Sequence, residues 1–95
     1  MYSIKISISY TLKELGGAVM LDSAVVGQVI QRIRERKKQS QELVSGLAGI
    51  GRTHLSAIER GERKPTLETF FRIADALGVK PSSIMAEIEE ELSKK

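Results

Sequence analysis

Residues 40–61 read SQELVSGLAGIGRTHLSAIERG, and the fold turns on how that stretch breaks. Ser40 offers a hydroxyl N-cap, so a short helix is expected from it through about Ala48. Gly46 lies inside that helix at a cost of about 1 kcal/mol relative to alanine, which leaves it poorly specified by propensity. Gly49 supplies a residue able to take positive φ at a helix end. Gly51 can cap the next helix, expected over residues 52–60, whose inward face is Leu55 and Ile58. Gly61 ends it. The stretch is therefore two short helices joined through Gly49-Ile50-Gly51.

Working upstream, Asp22 or Ser23 can cap a helix in which Val26, Val29, Ile30 and Ile33 recur at helical spacing. Arg32, Arg34, Arg36, Lys37 and Lys38 crowd its later part, where cations suit the helix dipole. Downstream, residues 62–65 form a polar loop, and Pro65 keeps Lys64 out of the helical region. Thr66 caps a fourth helix with the clearest periodicity in the chain: Leu67, Phe70, Phe71, Ala74 and Leu77, closed by Gly78. A fifth begins near Pro81 and carries Ile84, Met85, Ile88 and Leu92, with an acidic polar face over residues 87–91. The class is all-α, five short helices.

In front of them, Tyr2, Ile4, Ile6, Ile8 and Tyr10 alternate with Ser3, Lys5, Ser7 and Ser9. Period two over nine residues reads as a β-strand with one apolar face, which would need a partner such as its symmetry mate. The other reading makes residues 1–19 a leader, with Met20 an alternative start; both stand open here. The expected organisation is an N-terminal extension over residues 1–21, the helical domain over 22–86, and an acidic helix end or tail over 87–95.

Composition narrows the function. The 95 residues make one small domain, and with no cysteine there is no disulfide framework, thiolate metal site or cysteine nucleophile. His54 is the sole histidine, so a metal site would lack partners, and no metal or other cofactor is expected. No apolar run approaches a bilayer span and no signal peptide is evident, so a cytoplasmic, non-membrane protein is expected. The net charge of +3 is unevenly spread: residues 25–80 carry 11 Lys/Arg against 6 Asp/Glu, while residues 81–95 are acidic. A basic middle fits phosphate contacts, although a solvated surface is the commoner explanation.

The residues of the central stretch carry a resemblance. Ser40-Gln41-Glu42, Ala48-Gly49-Ile50 and the run from Arg52 through Ile58-Glu59-Arg60-Gly61 closely resemble the Cro and lambda-repressor type of helix-turn-helix, the XRE family. The likeness continues through Pro65-Thr66-Leu67, Ala76-Leu77-Gly78-Val79 and Pro81-Ser82, covering roughly residues 25–86. It implies a five-helix DNA-binding domain whose second motif helix reads base edges in the major groove. On that resemblance Arg52, Thr53 and Ala57 face the bases, Arg52 having the chemistry for guanine O6 and N7, while His54 and Ser56 flank them as base-contact candidates that could equally reach a phosphate. Gln41 matches a phosphate contact that also braces the reading helix, and Arg60, Arg63 and Lys64 are further phosphate candidates. Glu59 reads as an internal structural partner.

The chain departs from the family pattern at five places, one of them Gly51 where a Ser or Thr cap is expected. Leu43 and Leu47 stand where polar residues are usual, and Val44 and Ser45 where Leu and Ala are usual. Either the first motif helix is rotated or it shows an extra apolar patch. The expected function is sequence-specific binding of double-stranded DNA in transcriptional control, as a homodimer joined through Ile84, Met85, Ile88 and Leu92, with packing onto the domain's own core the standing alternative for Ile84 and Met85. The alternative is an antitoxin or interaction module whose main ligand is a protein partner, held by the Leu43/Leu47 patch or the 2–10 strand. A third reading gives that strand direct contact with DNA as a dimeric ribbon. No catalytic constellation is present, and an enzyme is not expected.

Overall fold

Helix ends in this chain are set by local chemistry, and the core follows from where they fall. The structure, a computed structural model, describes residues 21–94. Among them are five helices: α1 (Ser23–Arg36), α2 (Gln41–Ala48), α3 (Arg52–Glu59), α4 (Leu67–Leu77) and α5 (Pro81–Ser93). The strand, leader and ribbon readings of the first residues lie outside the described part.

Asp22 caps α1 by accepting from the Ala24 N–H at 2.9 Å, and Ser40 and Thr66 cap α2 and α4 in the same way. Gly51 starts α3 without a side-chain bond. Between α2 and α3, Gly49 takes φ 72°, which lets its own N–H and that of Ile50 return to the carbonyls of Gly46 and Ser45. That closure reverses the chain in three residues.

The helices pack in a closed ring: α1 on α3, α3 on α2, α2 on α4, α4 on α5, and α5 back on α1. At its centre Val29, Ile30, Ile33, Val44, Leu55, Ile58, Ile73, Leu77, Ile84 and Ile88 are fully buried. Each such side chain contributes about 1.5–3 kcal/mol of transfer free energy against the entropy of ordering it. Two glycines let α1 approach the end of α3. A Cβ on Gly27 would fall 2.1 Å from the Ile58 carbonyl oxygen, and one on Gly61 2.8 Å from the Ala24 Cα. Only a residue without a side chain fits at either place.

The ring also sets how much of α5 is exposed. Ile84 and Ile88 are 0% and 1% exposed, because α5 bridges α4 and α1, so both pack into the protomer's own core. Leu92 is half-buried against the same core, and only Met85 of the four stands exposed. Residues 87–92 form the C-terminal end of α5 and are joined to α1. Glu87 and Glu91 pair with Arg32 at 3.2 and 3.0 Å, and Glu87 also pairs with Arg36 at 2.8 Å. No helix among the described residues is long and apolar enough to cross a membrane.

Candidate nucleic-acid interface

α3 shows its first turn to solvent because its other side is committed inward. Leu55 and Ile58 are fully buried, while Arg52 and Thr53 are exposed and His54, Ser56 and Ala57 half-buried. Arg52, Thr53 and Ser56 together line a shallow depression of ≈ 210 Å³ on the outer face. Of the five base-facing candidates these three are brought together. His54 and Ala57 flank them without lining it.

Gln41 is the first residue of α2, where helix N–H groups have no intrahelical acceptor. Its Nε2 donates to Glu59 Oε1 at 2.8 Å, a direct hydrogen bond from the start of α2 to the end of α3. Glu59 in turn is held by Arg34, whose Nε and Nη2 donate to Oε2 and Oε1 at 2.6 and 3.0 Å. Arg34 Nη1 also donates to the Gln39 carbonyl at 2.7 Å. The Glu59 hydrogen bonds push the Arg34 guanidinium pKa up, against the opposing pull of burial. One buried ion pair thus ties α1 to the end of α3 and, through Gln41, to the start of α2.

The other phosphate candidates divide. Arg60 donates to the Ser56 hydroxyl and forms a two-bond pair with Glu62 at 2.9 and 3.0 Å. That guanidinium holds the Glu62 carboxyl below the usual carboxylate range. Arg60 must leave this pair to reach a phosphate. Arg63 and Lys64 are exposed and form no ion pair among the described residues, and neither does Arg52. The basic middle of the sequence is therefore two populations. Arg32, Arg34, Arg36, Arg60 and Arg72 are each neutralised by a carboxylate. Lys37, Lys38, Arg52, Arg63, Lys64 and Lys80 form no ion pair among the described residues.

Arg34 is the residue that the reading of the sequence missed, having been grouped with the exposed cations around it. Its signal was there: it lies four residues after Ile30, on the apolar face of α1. The departures in α2 resolve as a patch. Val44 and Ser45 are buried, and Leu43 and Leu47 stand 48% and 61% exposed.

Comparisons with known proteins match this geometry. Residues 30–84 match the model of a helix-turn-helix family. Over 66 residues the chain is 36% identical to an uncharacterized HTH-type transcriptional regulator, y4dJ, of Sinorhizobium fredii (strain NBRC 101917 / NGR234), covering 70% of this chain and 86% of that protein. It is 39% identical over 62 residues to the immunity repressor protein of Bacillus phage phi105, covering 65% of this chain and 43% of the repressor. Among solved structures, the restriction-modification controller protein C.AhdI from Aeromonas hydrophila superposes with a TM-score of 0.65 at 31% identity, covering 68% of this chain and 98% of the other.

Proposed function

The chain belongs to the helix-turn-helix family, and on that premise we propose that it is a sequence-specific DNA-binding transcriptional regulator, acting as a homodimer on an operator with two half-sites. The observation that carries this is the exposed first turn of α3. An unpaired arginine at a helix N-terminus opposes the helix dipole, and Arg52 shares its depression with the hydroxyls of Thr53 and Ser56. Those are donors of the kind that read base edges, with no carboxylate of the described residues paired to the arginine.

In this reading Arg52 contacts a guanine, and Thr53 and Ser56 contact neighbouring bases. His54 and Ala57 complete the face by shape. Gln41, Arg63 and Lys64 bind phosphates, and Arg60 joins them by exchanging Glu62 for a phosphate oxygen. Such a small module makes few contacts, so affinity comes from pairing two copies on half-sites about 34 Å apart. Self-association uses Met85 and its apolar neighbours Leu21 and Leu67, which edge a groove of ≈ 170 Å³ against Pro65 and Phe70. With DNA as ligand, the place of action is the cytoplasm.

The test is titration against DNA from upstream of the protein's own gene, with random duplex as competitor. The expected result is a preference of at least ~10³ over random DNA and a steep salt dependence. Binding without preference, or none, would refute the proposal.

A further inference from the structure

We propose that Glu59 is a positioning residue for the DNA contact made by Gln41, an inference that rests on the phosphate role given to Gln41 above. A primary amide has a donor end and an acceptor end, and a carboxylate can only accept. Glu59 Oε1 therefore fixes the Gln41 side chain with its nitrogen against α3, at 2.8 Å. That nitrogen keeps a second N–H, and Gln41 is only half-buried, so the remaining donor is available to a ligand outside.

Three further features fit this task. The Glu59 side chain is 2% exposed and both its oxygens are bonded to Arg34, so the anchor itself does not move. Arg34 also neutralises the carboxylate, which would otherwise repel a phosphate arriving beside it. At the same helix start, the Ser40 hydroxyl takes the Leu43 N–H, and the Ser40 carbonyl takes that of Val44. The N–H groups of Gln41 and Glu42 are left facing out of the helix end. A glutamine whose rotamers are settled before binding loses less entropy when the phosphate arrives. Because Glu59 is the last residue of α3, the same bond sets the reading helix relative to the backbone donor.

The experiment is a double-mutant cycle on the full chain, read as affinity for a random duplex of about 20 base pairs at low salt, since a phosphate contact is blind to sequence. Gln41→Ala should weaken binding about tenfold in the wild-type background. In an Arg34→Met/Glu59→Met background, which removes both buried charges together, the same change should cost less than about twofold. Should that double variant fail to fold, Glu59→Asp draws the carboxylate back from Gln41 while leaving a negative charge to balance Arg34, and the loss on Gln41→Ala should again shrink.

A Glu59 that only stabilised the fold would leave the tenfold loss intact in every folded background, and that additivity would overturn the proposal. So would a wild-type chain indifferent to Gln41→Ala. Failure of the wild-type chain to bind any duplex is a separate result: it would refute the proposed function itself, and with it the purpose assigned to Glu59.

Discussion

The C-terminal half of α1 and the segment from Arg52 to Lys64 both look basic in the sequence, yet all three arginines of the first are paired with carboxylates, while of the four cations in the second only Arg60 is, among the described residues. In α1, Arg32 and Arg36 are spent on Glu87 and Glu91 of α5, and Arg34 is buried on Glu59. Beyond the motif turn, Arg52, Arg63 and Lys64 carry no such partner among the described residues. A count of cations thus says little about a nucleic-acid surface. What matters is which of them the fold has already neutralised.

The contrast can be broken at its strongest point, the buried pair. Arg34→Ala leaves Glu59 as an uncompensated buried charge and should cost about 3–5 kcal/mol in denaturant unfolding, an amount that can unfold a domain of this size. A loss below about 1 kcal/mol would mean that the pair is in effect solvated. Gly27→Ala comes next. The added methyl meets the backbone oxygens of Ile58 and Glu59 at 2.1 and 2.6 Å, so α3 must move away from α1. The expected loss is about 3 kcal/mol, at the upper end for overpacking, accompanied by weaker DNA binding in whatever remains folded.

On the unpaired side the effect should appear in binding rather than stability. Arg52→Ala is expected to lose about 1–3 kcal/mol of specific affinity and relax preference at one base pair. Its unfolding free energy should stay within about 0.5 kcal/mol of wild type, as for an exposed side chain. An unchanged base preference would remove Arg52 from the reading face.

The smallest effect belongs to the contact between α1 and α5. Burial raises the pKa of Glu87, but hydrogen bonds from Arg36 and Arg32 outweigh it and the net direction is down. A lowered folded-state value means that its stabilisation is fully present above the ordinary carboxylate pKa, about 4.3, and is lost as pH falls through the folded value. Melting temperature should therefore fall more steeply below about pH 4.3 in the wild-type chain than in Glu87→Gln, whose side chain does not titrate. Parallel curves would show that the pair contributes nothing.

Much of this architecture was legible in the residues. The caps at Ser40 and Thr66, the turn at Gly49 and the apolar spacing of α4 each act locally, and the structure uses them as their chemistry suggests. The burial of Ile84 and Ile88 in the protomer's own core was not legible, because an amphipathic stripe records that a helix buries one side, not against what. The answer depended on α5 folding back on α1, across more than 50 residues, as the Arg32–Glu87 pair spans. Arg34 was hidden for the same reason, its partner lying 25 residues away. The exposed face of α3 was easier, since the helix has only one side left once Leu55 and Ile58 turn inward.

The most direct test of the contrast is the slope of log affinity against log salt for operator DNA, measured on three chains. Removing a phosphate contact lowers that slope by about 0.9 per contact. Arg63→Ala/Lys64→Ala, which removes two contacts from each of two copies, should lower it by about 3.6, while Arg32→Ala/Arg36→Ala should leave it at the wild-type value. Equal reductions in the two double variants would contradict the account, because cations held by carboxylates of α5 would then be contributing to DNA binding as much as free ones.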